Sequence, residues 1–250
     1  DFVRFAGVYA QYVGVPGGSD QSAVITEEAA GRIEFFELPE RGSRPHDIVV
    51  DAQGKVWFTE MGANRIGRFD PRTGVFVEYP LPIPGAQPYD ISVDSRGQIG
   101  FTEIGANRVG RLDPVSEELR EFVVPTPGSR PHSLVFDRRD LLWFTEESGN
   151  RIGRLNPGDG AFEEFLLPTP AAGVDGLQVD ENGYLWFSER ALGRLGRLDP
   201  VSGEILEFQI PGDDLKLRQI ALDSGGRVWF TNSSLKGLGV FDPGSGKTIL

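Results

Sequence analysis

Cysteine is absent from the 250-residue sequence, which excludes disulfide bonds and any catalysis that needs a thiolate. No apolar run approaches the roughly 20 residues that a membrane-spanning helix requires. No positively charged segment followed by an apolar one opens the chain, as it would in a signal peptide. Because the first residue is Asp1 rather than Met, a cytoplasmic protein and a secreted protein with a removed leader both remain open.

Positive charge is also scarce, with 25 Lys and Arg against 37 Asp and Glu and a formal net charge of −12. This balance disfavours a nucleic acid or an anionic membrane as a partner, since both are bound through clustered Lys and Arg. We expect instead a soluble monomer that acts on a small molecule. The motifs of a phosphate-binding loop, a serine nucleophile, a zinc site and an EF-hand are missing as well.

A 43-residue repeat accounts for nearly the whole chain. The stretch RPHDIVVDAQGKVWFTEMGANRIGR at 44–68 returns in altered form, and its anchors keep the interval of 43 without insertion or deletion. One such anchor is the series Asp51, Asp94, Asp137, Asp180 and Asp223. The predicted units are 1–39, 40–82, 83–125, 126–168, 169–211 and 212–250, and the first is the most diverged. Consecutive units without a linker predict a single domain over 1–250.

Each unit has the pattern of a four-stranded antiparallel meander. DIVVD and VWFTE are short β-rich runs that form a hairpin, in which Ile48 faces Phe58. In the same register, His46 faces Glu60 at the open end. The loop ends at Gly54, where a left-handed backbone is expected, and a second hairpin follows through PRTG. Because one such blade cannot bury both of its faces alone, the predicted fold is an all-β, six-bladed β-propeller.

A tryptophan recurs on the second strand of four units, at Trp57, Trp143, Trp186 and Trp229. Large aromatic side chains at a repeated strand position are expected to pack between neighbouring blades. Gly100 occupies this position in the third unit, 83–125. It indicates either a local loss of packing or a space that a neighbouring blade fills.

Polar side chains recur at one end of the predicted blades. The first strand of each blade lines the channel of a propeller, so residues at its start are expected at the channel mouth. The series at this position is His46, Tyr89, His132, Asp175 and Arg218, and the series fourteen residues later is Glu60, Glu103, Glu146, Glu189 and Asn232. Because the first series changes from unit to unit, the fold does not require its residues, and they are candidates for a functional site.

Two interpretations of these residues remain open. In the structural interpretation, the glutamates are inherited with the repeat and cap loops, and the histidines form hydrogen bonds in turns. In the functional interpretation, the carboxylates converge on the channel and are held by a cation such as Mg²⁺ or Ca²⁺, because like charges would otherwise repel. An imidazole beside them can act as a general base near neutral pH.

The functional interpretation assigns a role to each residue. The catalytic candidates are His132, His46 and Tyr89, and the candidate metal ligands are Glu60, Glu103 and Glu146. The candidate substrate-binding residues are Arg44, Arg130, Asp175, Glu189 and Arg218. The arginines among them suit a carboxylate or a developing oxyanion.

The segment PHDIVVDAQGKVWFTEMGANRIGRFDPRTGVFVEYPLP resembles the repeat of the virginiamycin B lyase (streptogramin lyase) family, in five units clearly and in the first weakly. The resemblance implies a β-propeller enzyme that uses Mg²⁺ and opens the ester-linked ring of streptogramin B antibiotics by elimination. It also implies a histidine at the mouth that takes the proton and glutamates that hold the metal. His132 with Glu146, or equally His46 with Glu60, would match these roles.

Two functions from different classes follow from these residues. The first is a metal-assisted lyase or lactone-opening enzyme, with a cyclic ester or lactone as substrate and Mg²⁺ or Ca²⁺ as cofactor. The second is a non-catalytic propeller that serves as a binding platform for a ligand or a protein. Metal dependence distinguishes them, because only the first should lose its function when EDTA removes the metal.

Overall fold

The computed structural model describes residues 35–234 and 236–249. Its regular elements within these ranges are twenty β-strands. The first ten are β1 (Pro45–Val50), β2 (Val56–Glu60), β3 (Arg65–Asp70), β4 (Val75–Pro80), β5 (Pro88–Val93), β6 (Ile99–Glu103), β7 (Arg108–Leu112), β8 (Leu119–Val123), β9 (Pro131–Phe136) and β10 (Leu142–Glu146). The others are β11 (Arg151–Leu155), β12 (Phe162–Leu166), β13 (Val174–Val179), β14 (Leu185–Glu189), β15 (Arg194–Leu198), β16 (Ile205–Gln209), β17 (Leu217–Leu222), β18 (Val228–Asn232), β19 (Gly237–Asp242) and β20 (Lys247–Ile249).

The strands form five antiparallel sheets, each of four strands in chain order. This arrangement confirms the predicted all-β fold and the meander in each of the five later units. The first strands of successive blades lie against one another, β1 on β5, β5 on β9, β9 on β13 and β13 on β17. Most of the first unit, 1–39, lies outside the described residues, so the count of six blades and the single domain remain predictions. No described residue belongs to a helix long and apolar enough to cross a membrane.

The hydrophobic core lies between blades, where Trp57, Trp143 and Trp186 are buried as predicted, whereas Trp229 is 37% exposed. Trp57 is fully buried and packs in one cluster with Ile91 and Phe101 of the following blade. Its indole N–H donates to Asp51 Oδ2 at 2.8 Å, so the polar edge of the ring is paired as well. The same carboxylate accepts two backbone N–H groups of the hairpin loop. This explains why the aspartate recurs with the same spacing as the blades.

The missing tryptophan at Gly100 is compensated by the next blade. A Cβ atom at this glycine would lie 2.7 Å from Leu142 Cδ1 and 2.8 Å from the ring of Phe136. Both side chains are buried and belong to the following blade. Of the two alternatives that the sequence left open, the structure therefore selects a space that a neighbour fills.

The predicted hairpin register is correct near the loop and wrong at the open end. Ile48 faces Phe58 as predicted, but Glu60 faces Pro45 rather than His46. A β-bulge between Pro45 and Ile48 changes the register there, because the first strand carries more residues than its partner at this point. The other four described blades have the same irregularity. The histidine and the glutamate are therefore not direct cross-strand partners.

Candidate functional site

Side chains at the starts of the five first strands form a continuous row, which we call the mouth row. It consists of His46, Tyr89, His132, Asp175 and Arg218. The ring centroids of His46 and Tyr89 are 3.7 Å apart, and those of Tyr89 and His132 are 4.3 Å apart. His132 Nδ1 lies 3.5 Å from Asp175 Oδ1, and Arg218 lies 3.6 Å from Asp175 Oδ2. The structure thus brings five sequence-predicted site residues together across five blades.

A hydroxyl from each preceding blade holds the backbone of the row. Thr59 Oγ1 donates to the Tyr89 carbonyl at 2.9 Å, and Thr102 Oγ1 donates to the His132 carbonyl at 2.7 Å. Thr145 does the same for Asp175 at 3.0 Å. The threonines are fully buried, so these hydrogen bonds are shielded from water. The row is therefore fixed by contacts between blades in addition to the pairing within each hairpin.

The two histidines of the row have different surroundings. His46 is exposed, and its Nδ1 lies 3.1 Å from the Tyr89 carbonyl oxygen. His132 is only 5% exposed. Burial lowers the pKa of the His132 imidazole, while the carboxylates of Asp175 and Glu147 oppose this effect. Of the two, His132 is therefore the buried imidazole with an acidic neighbour.

Asp175 is the centre of a charged cluster at the mouth. It is 2% exposed, and this burial raises its pKa, while His132, Arg218 and Arg190 favour its ionised form. Arg190 Nε lies 3.7 Å from Asp175 Oδ2. The same guanidinium donates to Glu147 at 2.5 Å. The carboxylate thus has two guanidinium groups and an imidazole as neighbours, and the Glu147 carboxylate lies near enough to act against its ionisation.

Tyr89 lies between the two histidines. Burial raises the pKa of its phenol, and the nearby Asp175 carboxylate adds to this effect. The phenol therefore keeps its proton at neutral pH and remains a hydrogen-bond donor.

The repeated glutamates lie apart from the mouth row. Glu60, Glu103, Glu146 and Glu189 are all 0% exposed. Burial, followed by the charge of a second glutamate in the same blade, raises their pKa values. These are about 8 for Glu103 and Glu146 and about 7 for Glu189. Each is thus a buried carboxyl beside its own blade's Glu78, Glu121, Glu164 or Glu207.

The locations of the repeated glutamates bear on whether they could hold the predicted Mg²⁺ or Ca²⁺. Within 35–234 and 236–249, no group of three or more His, Cys, Asp or Glu side chains is arranged to hold a metal ion. The candidate ligands Glu60, Glu103 and Glu146 each lie beside a second glutamate of their own blade. The described residues therefore show no assembled magnesium or calcium site, and the metal remains a prediction from the sequence.

The two remaining arginines lie beside the row rather than in it. Arg44 and Arg130 both adopt a left-handed backbone, with φ of 47° and 55°. Arg130 Nε donates to Glu147 at 3.0 Å, which joins it to the charged cluster. Arg44 is exposed, and its carbonyl accepts the Met61 N–H.

Sequence reasoning missed Glu147 and Arg190. They occupy the position that directly follows the repeated glutamate, where other units have Met61, Ile104 and Ser233. A comparison of this position between units could have found them, since it changes as much as the mouth position does.

A carboxyl pair below the row was missed as well. Asp47 and Asp90 each directly follow a mouth residue, and both accept the Ile91 N–H. Asp90 also accepts the Leu134 N–H at 3.1 Å. Burial, and then the hydrogen bond with Asp47, raise the pKa of Asp90 well above its usual value. The hydrogen bonds of the pair link three neighbouring first strands, β1, β5 and β9.

Comparisons with known proteins agree with this architecture. A sequence model of the virginiamycin B lyase family matches residues 18–94 and 71–245. The selenomethionine-substituted virginiamycin B lyase of Staphylococcus aureus is 35% identical and superimposes with a TM-score of 0.82, covering 88% of this chain and 73% of that one. A catalytically inactive histidine-to-alanine variant of the same lyase, solved with quinupristin, is 36% identical with the same TM-score and coverage. A comparison with curated proteins returns no match.

A more distant likeness concerns the fold alone. A chain of the nidogen/laminin complex superimposes with a TM-score of 0.66 at 16% identity, covering 84% of this chain and 81% of that one.

Proposed function

The chain belongs to the virginiamycin B lyase family, and from this premise we propose that it is a lyase that opens a cyclic ester at the channel mouth. The observation that carries the proposal is the pairing of a buried imidazole with a buried carboxylate, His132 with Asp175, within the mouth row. A base of this kind is what proton abstraction beside a carbonyl group requires.

In the proposed reaction, His132 Nε2 takes a proton from the carbon that lies next to a carbonyl group of the substrate. The electrons of the broken C–H bond form a carbon–carbon double bond while the alkyl C–O bond of the ester breaks. The ring oxygen then leaves as part of a carboxylate. No oxidant or water is consumed, so the step balances with these groups alone.

The cations of the mouth suit the charge that develops in this step. Arg218 is 46% exposed at its side chain and Arg190 is 31% exposed, so both are open to a ligand. A guanidinium pairs well with a departing carboxylate. Tyr89 keeps its phenol proton and can donate to the ester carbonyl oxygen.

The metal expected from the family resemblance has no role in this scheme. Since no group of acidic and histidine side chains in the described residues is arranged to hold an ion, no step is assigned to Mg²⁺ or Ca²⁺. The expectation is checked by adding EDTA and then either ion to the protein and measuring turnover and binding heat.

Turnover of quinupristin tests the proposal, with His132→Gln as the variant and His46→Gln as its matched control. We expect His132→Gln to lose at least about 100-fold in kcat, since a general base contributes that much or more. His46→Gln should retain most of the activity, because His46 has no carboxylate partner among the described residues. Full activity of His132→Gln would refute the assigned base.

Mass spectrometry of the product distinguishes the possible reactions. Elimination leaves the mass unchanged, whereas hydrolysis of a lactone adds one water. Binding without any product would instead favour the binding-platform function. Size-exclusion chromatography checks the predicted monomer in the same preparation.

A further inference from the structure

We propose that Asp175 is the positioning residue for His132, accepting the Nδ1 proton of the imidazole and thereby leaving Nε2 unprotonated and free to act as the base. The inference rests on the proposed function, in which His132 receives the proton of the substrate. The two residues start the neighbouring first strands β9 and β13. Their contact therefore exists only because the two blades are packed side by side.

Because both side chains are buried, the Asp175 carboxylate is the partner that the structure offers to His132 Nδ1. The side chains of His132 and Asp175 are 7% and 3% exposed. Among the described residues, no acceptor or donor lies within normal hydrogen-bond geometry of His132 Nδ1. An unpaired N–H group is unfavourable at such a position, and the nearest carboxylate oxygen is Asp175 Oδ1 at 3.5 Å. This separation is long for a hydrogen bond, as catalytic hydrogen bonds often are before the substrate binds.

The carboxylate is held so that its two oxygens face different partners. Oδ1 faces the imidazole, while Oδ2 lies 3.7 Å from Arg190 Nε and 3.6 Å from Arg218. Burial raises the pKa of Asp175, and the two cations oppose this effect by favouring the ionised form, which accepts a hydrogen bond from an N–H group. Arg190 also donates a hydrogen bond to Glu147 at 2.5 Å, and this contact fixes the guanidinium that lies beside Asp175.

The contrast with His46 supports a specific role rather than a general property of the repeat. His46 occupies the same position in its blade, but its Nδ1 lies near a backbone carbonyl at 3.1 Å and its side chain is exposed. Of the two histidines, only His132 has an aspartate, Asp175, at the mouth position of the next blade, whereas His46 has Tyr89 there. A purely structural Asp175 would pair with the arginines and leave the tautomer of His132 unaffected.

Nuclear magnetic resonance of the imidazole nitrogens tests the proposal in the free protein. The chain contains two histidines, so the variant His46→Gln assigns both sets of signals. The charged and titratable groups that face His132 are Asp175, Glu147, Arg190, His46 and Tyr89.

We expect neutral His132 to carry its proton on Nδ1 in the unmodified protein. In Asp175→Asn this preference should be lost, and the titration midpoint of His132 should fall by about 1 pH unit, because a nearby opposite charge has been removed.

A second variant, Arg190→Gln, should shift the titration midpoint of His132 in the direction opposite to Asp175→Asn. Removal of this cation should raise the titration midpoint of His132, since its charge opposes that of the imidazolium. Arg190 is partly exposed, so this variant keeps the test available if Asp175→Asn does not fold.

The proposal is overturned if the tautomer and the midpoint of His132 are the same in all folded variants, or if neutral His132 carries its proton on Nε2. Both readouts are independent of turnover. An inactive protein in which Asp175 still fixes the tautomer would therefore refute the proposed function while the assignment of Asp175 as the positioning residue of His132 would stand.

Discussion

Replacement of one buried glutamate by glutamine should remove a defined part of the pH dependence of stability. Glu146 is 0% exposed, and burial, followed by the charge of Glu164, raises its pKa from 4.5 to about 8. The folded state therefore holds this proton more tightly than the unfolded chain does. The stabilisation that results is fully present below the unfolded pKa of 4.5 and is lost as the pH rises through about 8.

The magnitude follows from the two pKa values. Between about pH 5.5 and about pH 7.5, the unfolded chain has released this proton while the folded protein has mostly kept it. By linkage, the contribution of Glu146 falls over this interval by about 2.5 kcal/mol. Glu146→Gln cannot titrate, so the stability of the variant relative to the unmodified protein should rise by that amount. The comparison cancels the titrating groups that do not interact with Glu146; Glu164 does interact with it, through charge and a hydrogen bond, so its titration is not cancelled.

Urea unfolding followed by tryptophan fluorescence measures this difference at both pH values. The slope of the free energy against urea must stay the same in both proteins, so that the midpoints report stability. Glu204→Gln is the matched control, because Glu204 is exposed. Glu189→Gln provides a second comparison, since its pKa of about 7 predicts that its contribution is lost at a lower pH. A difference between Glu146→Gln and the unmodified protein that does not change with pH would refute the reasoning.

Two further predictions concern contacts between blades. Gly100→Trp should destabilise the protein by about 1–3 kcal/mol in urea unfolding, because Phe136 and Leu142 already fill the space that a tryptophan would need; an unchanged midpoint would contradict that packing. Thr102→Val should cost about 1–3 kcal/mol, because the buried His132 carbonyl loses its hydroxyl donor. Thr102→Ser keeps the hydroxyl and is the matched control, so equal losses in both variants would refute the hydrogen-bond explanation.

The identity of the mouth residues could be predicted because they change between units while the blade around them does not. His46, Tyr89 and His132 occupy one position of the repeat. The structure places their rings in contact. Glu147 and Arg190 were missed because only the repeated glutamate was compared between units, and not the position that directly follows it. Their role depends on a contact across blades, 43 residues apart, which no local pattern indicates.

The predicted proximity of His46 and Glu60 failed for a different reason. A β-bulge changes the register of the first hairpin by local backbone geometry, and the alternation of polar and apolar residues does not reveal it. The register differs from the predicted one in all five described blades, and the four glutamates are buried beside a second glutamate of their own blade. Their pKa values then depend on burial among neighbours from other strands, which only coordinates provide.

The sequence by itself determined the repeat, the four strands of each of the five described blades, the turns and three of the four tryptophans between blades. These features depend on residues that are close in the chain, whose hydrogen bonds and side-chain alternation are set within one hairpin. Only the tertiary structure decided which charged groups meet at the mouth, which carboxyls are buried and which histidine has an acidic partner. Those properties depend on distances of a few ångströms between different blades, and these are set by how whole sheets pack around the channel.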